Sequence, residues 1–205
     1  MKEIILPEPV LTGRISLEEA IYGRISRRSF PERGLTLALV GQLLWSAGGR
    51  GARGAAGVSR AAPSAGATYP LELYLATGAV EGLDAGLYRY LYHNHALNRR
   101  HQADLRAALA RASLGQEMLL QAPATVIIAA CYERTTRRYG KRGYRYVYME
   151  AGSVSENIYL QAEALRLSTV AVGAFDDSGV KKILGVEEAP LLLMPVGLRH
   201  KQEKL

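Results

Sequence analysis

Three residue types are nearly missing from this 205-residue chain, which holds one cysteine, one tryptophan and two phenylalanines. A lone cysteine excludes an internal disulfide and any cysteine-based zinc site, and it suits a reducing, cytoplasmic compartment. No apolar run approaches the roughly 20 residues of a membrane-spanning helix. The N-terminal MKEIILPEP has only a three-residue apolar run before its proline, too short for a secretion signal. Acid is scarce as well, with 19 Asp and Glu against 26 Lys and Arg, leaving a net charge of +7. What is present is that of a folded domain: 48% hydrophobic and 22% charged residues exclude a disordered chain. The length fits one domain over residues 1–205. The basic excess needs a cause, whether a phosphate-bearing ligand, nucleic acid or solubility.

Periodicity predicts a mixture of helices and strands. Ser16-Leu17-Glu18-Glu19 has capping-box spacing and opens a short helix, and Thr36 caps a second one bearing Leu39, Val40, Leu43 and Leu44. Leu71 to Thr77 and Leu87 to Tyr92 read as strands joined through a turn at 81–86. An amphipathic helix is expected from Gln102 to Ala112, and Ala124 to Cys131 reads as a strand buried on both faces. A long helix is expected from about Tyr146 to Arg166, with Ala151, Gly152 and Ser153 admitting a close neighbour. Strands over Ser168 to Ala174 and Leu191 to Gly197 flank a helix capped by Asp176 or Asp177. Strands and helices do not alternate strictly, which favours α+β over a doubly wound parallel sheet.

Several motifs resolve to structural roles. Gly49-Arg50-Gly51-Ala52-Arg53-Gly54 spells G-x-G-x-x-G, but a helix precedes it and loop follows, so a surface loop is expected rather than a dinucleotide fold. His93 and His95 lack a third metal ligand and read as turn residues, so no metal is expected. Cys131 closes an apolar strand with no base beside it, and Ser64 lacks the G-x-S-x-G elbow of a hydrolase.

Two basic clusters carry more chemistry. Arg24, Arg27, Arg28 and Ser29 form a compact donor set suited to a phosphate or a ribityl chain, and equally to a helix C-terminus. Arg134, Arg137, Arg138, Lys141, Arg142 and Arg145 interleave with tyrosines, as a nucleic-acid groove or a solvated surface segment would. Residues 134–145 hold no acid and supply six of the seven net charges, so the excess belongs to one segment.

Taken in order, the segments resemble one family. Ser26-Arg27-Arg28-Ser29-Phe30, then Gln42-Leu43-Leu44-Trp45-Ser46-Ala47-Gly48-Gly49 and Pro63-Ser64-Ala65-Gly66 stand in its sequence, followed by Glu150-Ala151-Gly152, Asn157-Ile158-Tyr159-Leu160, Val172-Gly173-Ala174-Phe175 and Pro195-Val196-Gly197. This order resembles the SagB/ThcOx-type branch of the FMN-dependent nitroreductase-like oxidoreductases. The resemblance implies a mainly antiparallel mixed sheet packed with helices, in a homodimer with two FMN sites.

By that resemblance, Arg27, Arg28 and Ser29 bind the phosphate-ribityl end and the polar edge of the ring, with Arg199 a further phosphate ligand. Pro63, Ser64 and Gly66 line the flavin from the partner subunit. The backbone N–H groups near Gly173 and Ala174 donate to flavin N5. Two-electron ping-pong redox is implied on a small organic or peptide-derived substrate, with NAD(P)H as one electron donor, Tyr139 managing a proton and Arg138 steering anions. Two positions depart from the pattern. Pro31 stands where nitroreductases commonly carry a basic residue, and Arg138-Tyr139 replaces the Lys-Tyr pair of azoline-oxidising relatives. A guanidinium is a poor base. Two rival classes are a nucleic-acid-binding module and a flavin-binding, non-redox partner in a peptide-modifying complex.

Overall fold

In the computed structural model, which describes residues 3–54 and 57–200, a short strand β1 (Glu3–Ile5) leads to helix α1 (Leu17–Gly23). The Ser16 hydroxyl accepts the Glu19 N–H and the Glu19 carboxylate accepts the Ser16 N–H, a reciprocal capping box that fixes where α1 begins. Thr36 accepts the Leu39 N–H and starts α2 (Leu37–Gly48). The glycine-rich stretch expected as a loop is instead an antiparallel hairpin of β2 (Arg50–Gly54) and β3 (Gly57–Arg60). Backbone bonds build it, supported by Trp45 Nε1 donating to the Arg50 carbonyl and Ser59 Oγ to that of Ala52, so no side-chain alternation announces it.

Strands β4 (Leu71–Thr77), β5 (Gly86–Leu91) and β6 (Ala96–His101) form a meander. Helix α3 (Arg106–Ala112) starts later than expected, because the Asp104 carboxylate takes the Arg106 N–H and guanidinium ahead of the first turn. After α4 (Met118–Gln121) comes β7 (Ala124–Ala130), followed by α5 (Glu133–Tyr139) and α6 (Arg142–Ala164). The Arg/Tyr segment is therefore helical, and the long helix begins four residues before the expected Tyr146. Strand β8 (Leu167–Thr169) is shorter than the expected Ser168–Ala174, with Val172 making only a single bridge to Leu193. Helix α7 (Asp177–Leu184), capped by Asp176, precedes β9 (Ala189–Leu198).

Seven strands lie in the order β1-β6-β5-β4-β7-β9-β8, and every ladder between them is antiparallel. Side-chain alternation splits the core into two layers. Leu71, Leu73, Leu75, Val126 and Ile128 face α2 and α6, while Tyr74, Ala76, Ile127 and Ala129 face α3, α4 and α7. Strand β7 is buried at all seven positions, as its uninterrupted apolar run requires. Each fully buried leucine or isoleucine contributes roughly 1.5–3 kcal/mol. Helix α6 covers one face with Val147, Ala151, Val154, Ile158 and Ala162 on a single stripe, and its 23 residues span about 34 Å. Everything chemically notable lies along that helix or at its N-terminal end.

Candidate functional site

Between β3 and β4 the chain makes a strained turn. Gly66, Ala67 and Tyr69 all have positive φ, at 58°, 53° and 44°. Non-glycine residues there cost on the order of 1–3 kcal/mol each and persist only where surroundings over-determine them. Helix α5 supplies those surroundings from one face. Arg134 donates to the Tyr69 carbonyl at 3.0 Å and pairs with Glu72 at 2.6 Å. Thr135 shares a 2.7 Å bond with Thr68, and Arg138 donates to the Gly66 carbonyl at 3.1 Å. A side chain at Gly66 would collide with the Tyr139 hydroxyl and the Arg138 guanidinium. Positions 134, 135, 138 and 139 repeat at one helical turn, so one face of α5 clasps the turn. Two sequence-predicted sets, Arg138 with Tyr139 and Pro63-Ser64 with Gly66, thus meet within one chain.

Near the turn, Glu150 and Arg60 line one small cavity, and sequence reasoning assigned neither a role. Glu150 of α6 is 7% exposed, and burial pushes its carboxyl up to about 7 against the lowering influence of a Ser64 hydrogen bond and the Arg60 charge. The Arg60 guanidinium is clamped between the rings of Tyr92 and Tyr69, at 3.6 and 4.6 Å from their centroids. Ser64 Oγ also accepts the Tyr69 N–H at 2.9 Å.

A second set gathers further along α6. The Tyr159 hydroxyl bonds Ser26 Oγ at 2.9 Å and accepts the Ala171 N–H at 2.8 Å, while the Arg27 N–H donates to the Thr169 carbonyl. These bonds seat the start of the segment, Ser26 and Arg27, against Thr169 and, through Tyr159, near Ala171. Phe30 anchors that segment by packing on Gly197, where a Cβ would strike its ring. Arg28 and Ser29 are exposed, and the N–H groups of Gly173 and Ala174 donate to no acceptor among the described residues. Arg27 and Arg199 instead both turn to the buried Glu163, with Nη–Oε2 distances of 2.9 and 2.8 Å. Glu163 was also missed; a lone acid among polar helix residues carries no local signal of burial. The two sets are centred on Glu150 and Tyr159, nine residues or about 14 Å apart along α6.

Other polar candidates are engaged in structure. His95 bonds the Tyr90 hydroxyl at 2.8 Å and the Pro7 carbonyl at 3.0 Å, and His93 stacks on Tyr92. Cys131 meets the Glu133 carboxylate at 3.5 Å. Among the described residues, no three His, Cys, Asp or Glu side chains are grouped to hold a metal ion. No helix there is long and apolar enough to cross a membrane.

Comparison with known proteins matches this architecture. Residues 21–198 fit a family model described as "Nitroreductase family". Over 196 residues, 95% of this chain and 96% of the relative, the chain is 45% identical to "Putative nitroreductase MJ1384" of Methanocaldococcus jannaschii. It is 30% identical over 148 residues to the microcin B17-processing protein McbC of Escherichia coli, covering 68% of this chain and 54% of McbC. A solved structure from Ralstonia eutropha JMP134, described as "a putative nitroreductase", superposes with a TM-score of 0.84 at 28% identity. That match covers 98% of this chain and 91% of the other.

Proposed function

The chain belongs to the nitroreductase family of oxidoreductases, and we propose that it is an FMN-dependent enzyme performing two-electron, ping-pong redox on a small organic or peptide-derived substrate. One observation carries this reading. Arg28 and Ser29 are exposed, and so are the N–H groups of Gly173 and Ala174, which meet no acceptor among the described residues; together they offer donors for a phosphate-ribityl chain and for a ring nitrogen. When bound, FMN would accept and return a hydride at N5. Arg28 and Ser29 would hold the phosphate and ribityl groups, with Arg27 and Arg199 drawn toward Glu163 behind them. The Gly173 and Ala174 N–H groups would stabilise negative charge near N5. Tyr139 would hold or move a proton at its hydroxyl, kept in place by Gly66, while Arg138 fixes the turn as well as lending positive charge.

The turn and α5 lie away from the Arg28 set along the same helix. A homodimer joins them if α6 packs against a second copy, each chain offering its Pro63–Gly66 turn and Tyr139 to the other's flavin. The exposed apolar surface supports this. On α6, Tyr148 and Met149 are 55% and 64% exposed and Gly152 faces open space, and Leu17, Ile21 and Tyr22 of α1 are exposed too. Among the described residues nothing lies within 4 Å of a Cβ placed at Gly152, and the close neighbour it was expected to admit would be that second copy.

Gently purified protein should be yellow, with a flavin spectrum bleached by NAD(P)H or dithionite. Tyr139→Phe should keep the spectrum and lose turnover by about 10²-fold or more, as expected for a general acid or base. Failure to bind FMN on reconstitution sinks the proposal. A second reading, a flavin-binding partner in a peptide-modifying complex, is favoured by the likeness to McbC. It predicts normal FMN content with turnover only when a partner protein is added. Nucleic-acid binding has less support, since Arg134 and Arg138 are tied to Glu72 and Gly66 within the chain.

A further inference from the structure

The cations of residues 134–145 do not share one fate. Arg134 and Arg138 are tied to Glu72 and to the Gly66 carbonyl, and Arg137 has Glu133 one helical turn before it. Lys141, Arg142 and Arg145 differ from these. All are exposed, and among the described residues none makes a side-chain hydrogen bond or meets a carboxylate.

The corner between α5 and α6 sets these cations around Tyr139. Gly140, at φ 55° and ψ −143°, ends α5, and Lys141 opens α6 directly after it. The helices touch where Gly143 lies on Thr136, so closely that a Cβ there would come within 2.9 Å of the Thr136 Cα. The Tyr146 ring meets the Tyr139 ring edge-on, with centroids 5.0 Å apart. Arg142 and Arg145 stand four and one residues before Tyr146, so they share the face of α6 that reaches Tyr139. From the other side, one Cβ at Gly66 would touch both the Arg138 guanidinium and the Tyr139 hydroxyl, so those two groups lie together.

Two ordinary roles do not account for the three cations. Positive charge at the start of a helix opposes its dipole, and the first turn of α6 holds no acid to offset Arg142 and Arg145. A nucleic-acid groove needs ring faces to stack on, whereas Tyr132 packs on Tyr144 and Tyr148, and Tyr139 on Tyr146. What the corner offers is concentrated positive potential beside one hydroxyl.

We propose that the substrate is a small anion: Lys141, Arg142 and Arg145 hold its carboxylate or phosphate while its reducible group lies at the Tyr139 hydroxyl. This rests on the redox reading of the site and adds its substrate class. Guanidinium groups take either headgroup through paired N–H donors, and the lysine adds a point charge.

The test uses 4-nitrobenzoate, 4-nitrophenyl phosphate and the neutral 4-nitrobenzamide, which share one reducible group. With NAD(P)H as donor, each nitro group takes two electrons and two protons; NAD(P)H and a proton are consumed, and the nitroso compound, NAD(P)+ and water are released. The quantity read is kcat/KM for each anion divided by that for the amide. A folding or cofactor defect lowers all three together and leaves this ratio unmoved. Wild type should favour at least one anion by about tenfold at about 0.01 M salt, falling toward one near 1 M as the Debye length shrinks from about 30 to about 3 Å. The double variant Arg142→Gln/Arg145→Gln should bring the low-salt ratio to about twofold or less. The larger anion ratio identifies the headgroup. A wild-type ratio near one, or a ratio unchanged in the double variant, overturns the proposal, and salt-dependent retention of a single-stranded oligonucleotide would then assign the corner to nucleic acid. Saturation-transfer NMR of the same probes on flavin-free protein needs no turnover. The anions should give stronger signals than the amide, and the double variant should erase the difference; equal signals in wild type overturn the proposal. If no protein binds FMN, the redox reading fails while the NMR comparison still decides whether the corner holds anions.

Discussion

At the scale of single residues, Glu150 and Gly66 make the sharpest demands. The Glu150 carboxyl is raised from an ordinary 4.5 to about 7, so the folded state binds the extra proton between those values. Stability therefore falls as pH rises through that window, and the loss is complete above about 7. Its size is on the order of 3 kcal/mol. Glu150→Gln should be more stable than wild type by that order at pH above 7 and indistinguishable below 4.5, as urea denaturation at each pH would show. Gly66 is constrained by both conformation and space. Gly66→Ala places a Cβ at φ 58° against Tyr139 and Arg138, and should cost about 1–3 kcal/mol while weakening FMN binding. An unchanged melting temperature would contradict that.

At the scale of elements, what could be read in advance followed how local the cause is. The caps at Ser16, Thr36 and Asp176 and the apolar run of β7 depend on neighbours within a few residues, and each lies where its motif predicts. The β2–β3 hairpin and α5 were missed because backbone pairing makes the first, and docking on the turn holds the second; neither leaves an apolar period. The same divide applies to the site. Arg28, Ser29, Tyr139 and Gly66 stand out as motif residues; Tyr159 lies in a motif segment but its bond to Ser26, 133 positions away, comes from the fold, and Glu163 pairs with Arg27 and Arg199, 136 and 36 positions away, with no local pattern to announce it. Glu163 ties α6 to both flanking segments, so its loss should be felt broadly. Glu163→Ala strands the buried cation of Arg199 and should cost about 3–5 kcal/mol, while Glu163→Gln should cost less by keeping an acceptor. Calorimetry comparing the two separates charge from packing.

For the whole molecule, the exposed faces of α1 and α6 become an assembly prediction. Met149 is 64% exposed, so Met149→Glu should leave the monomer's fold intact. Light scattering should nonetheless report a halved mass, with FMN affinity at least about tenfold weaker, since a buried charge opposes an apolar interface. A variant that remains dimeric and binds normally would move the interface elsewhere.

The sheet order also governs how the chain can be made. Strand β4 has its outer partner β5 nearby, but its inner partner β7 begins some 50 residues later, and β7 awaits β9 at the far end. During synthesis, β7 therefore emerges with one edge open until residues 189–198 arrive. Nascent chains stopped before Ala189 should remain protease-sensitive and recruit chaperones. Release of β9 should trigger protection of β7 as a late event.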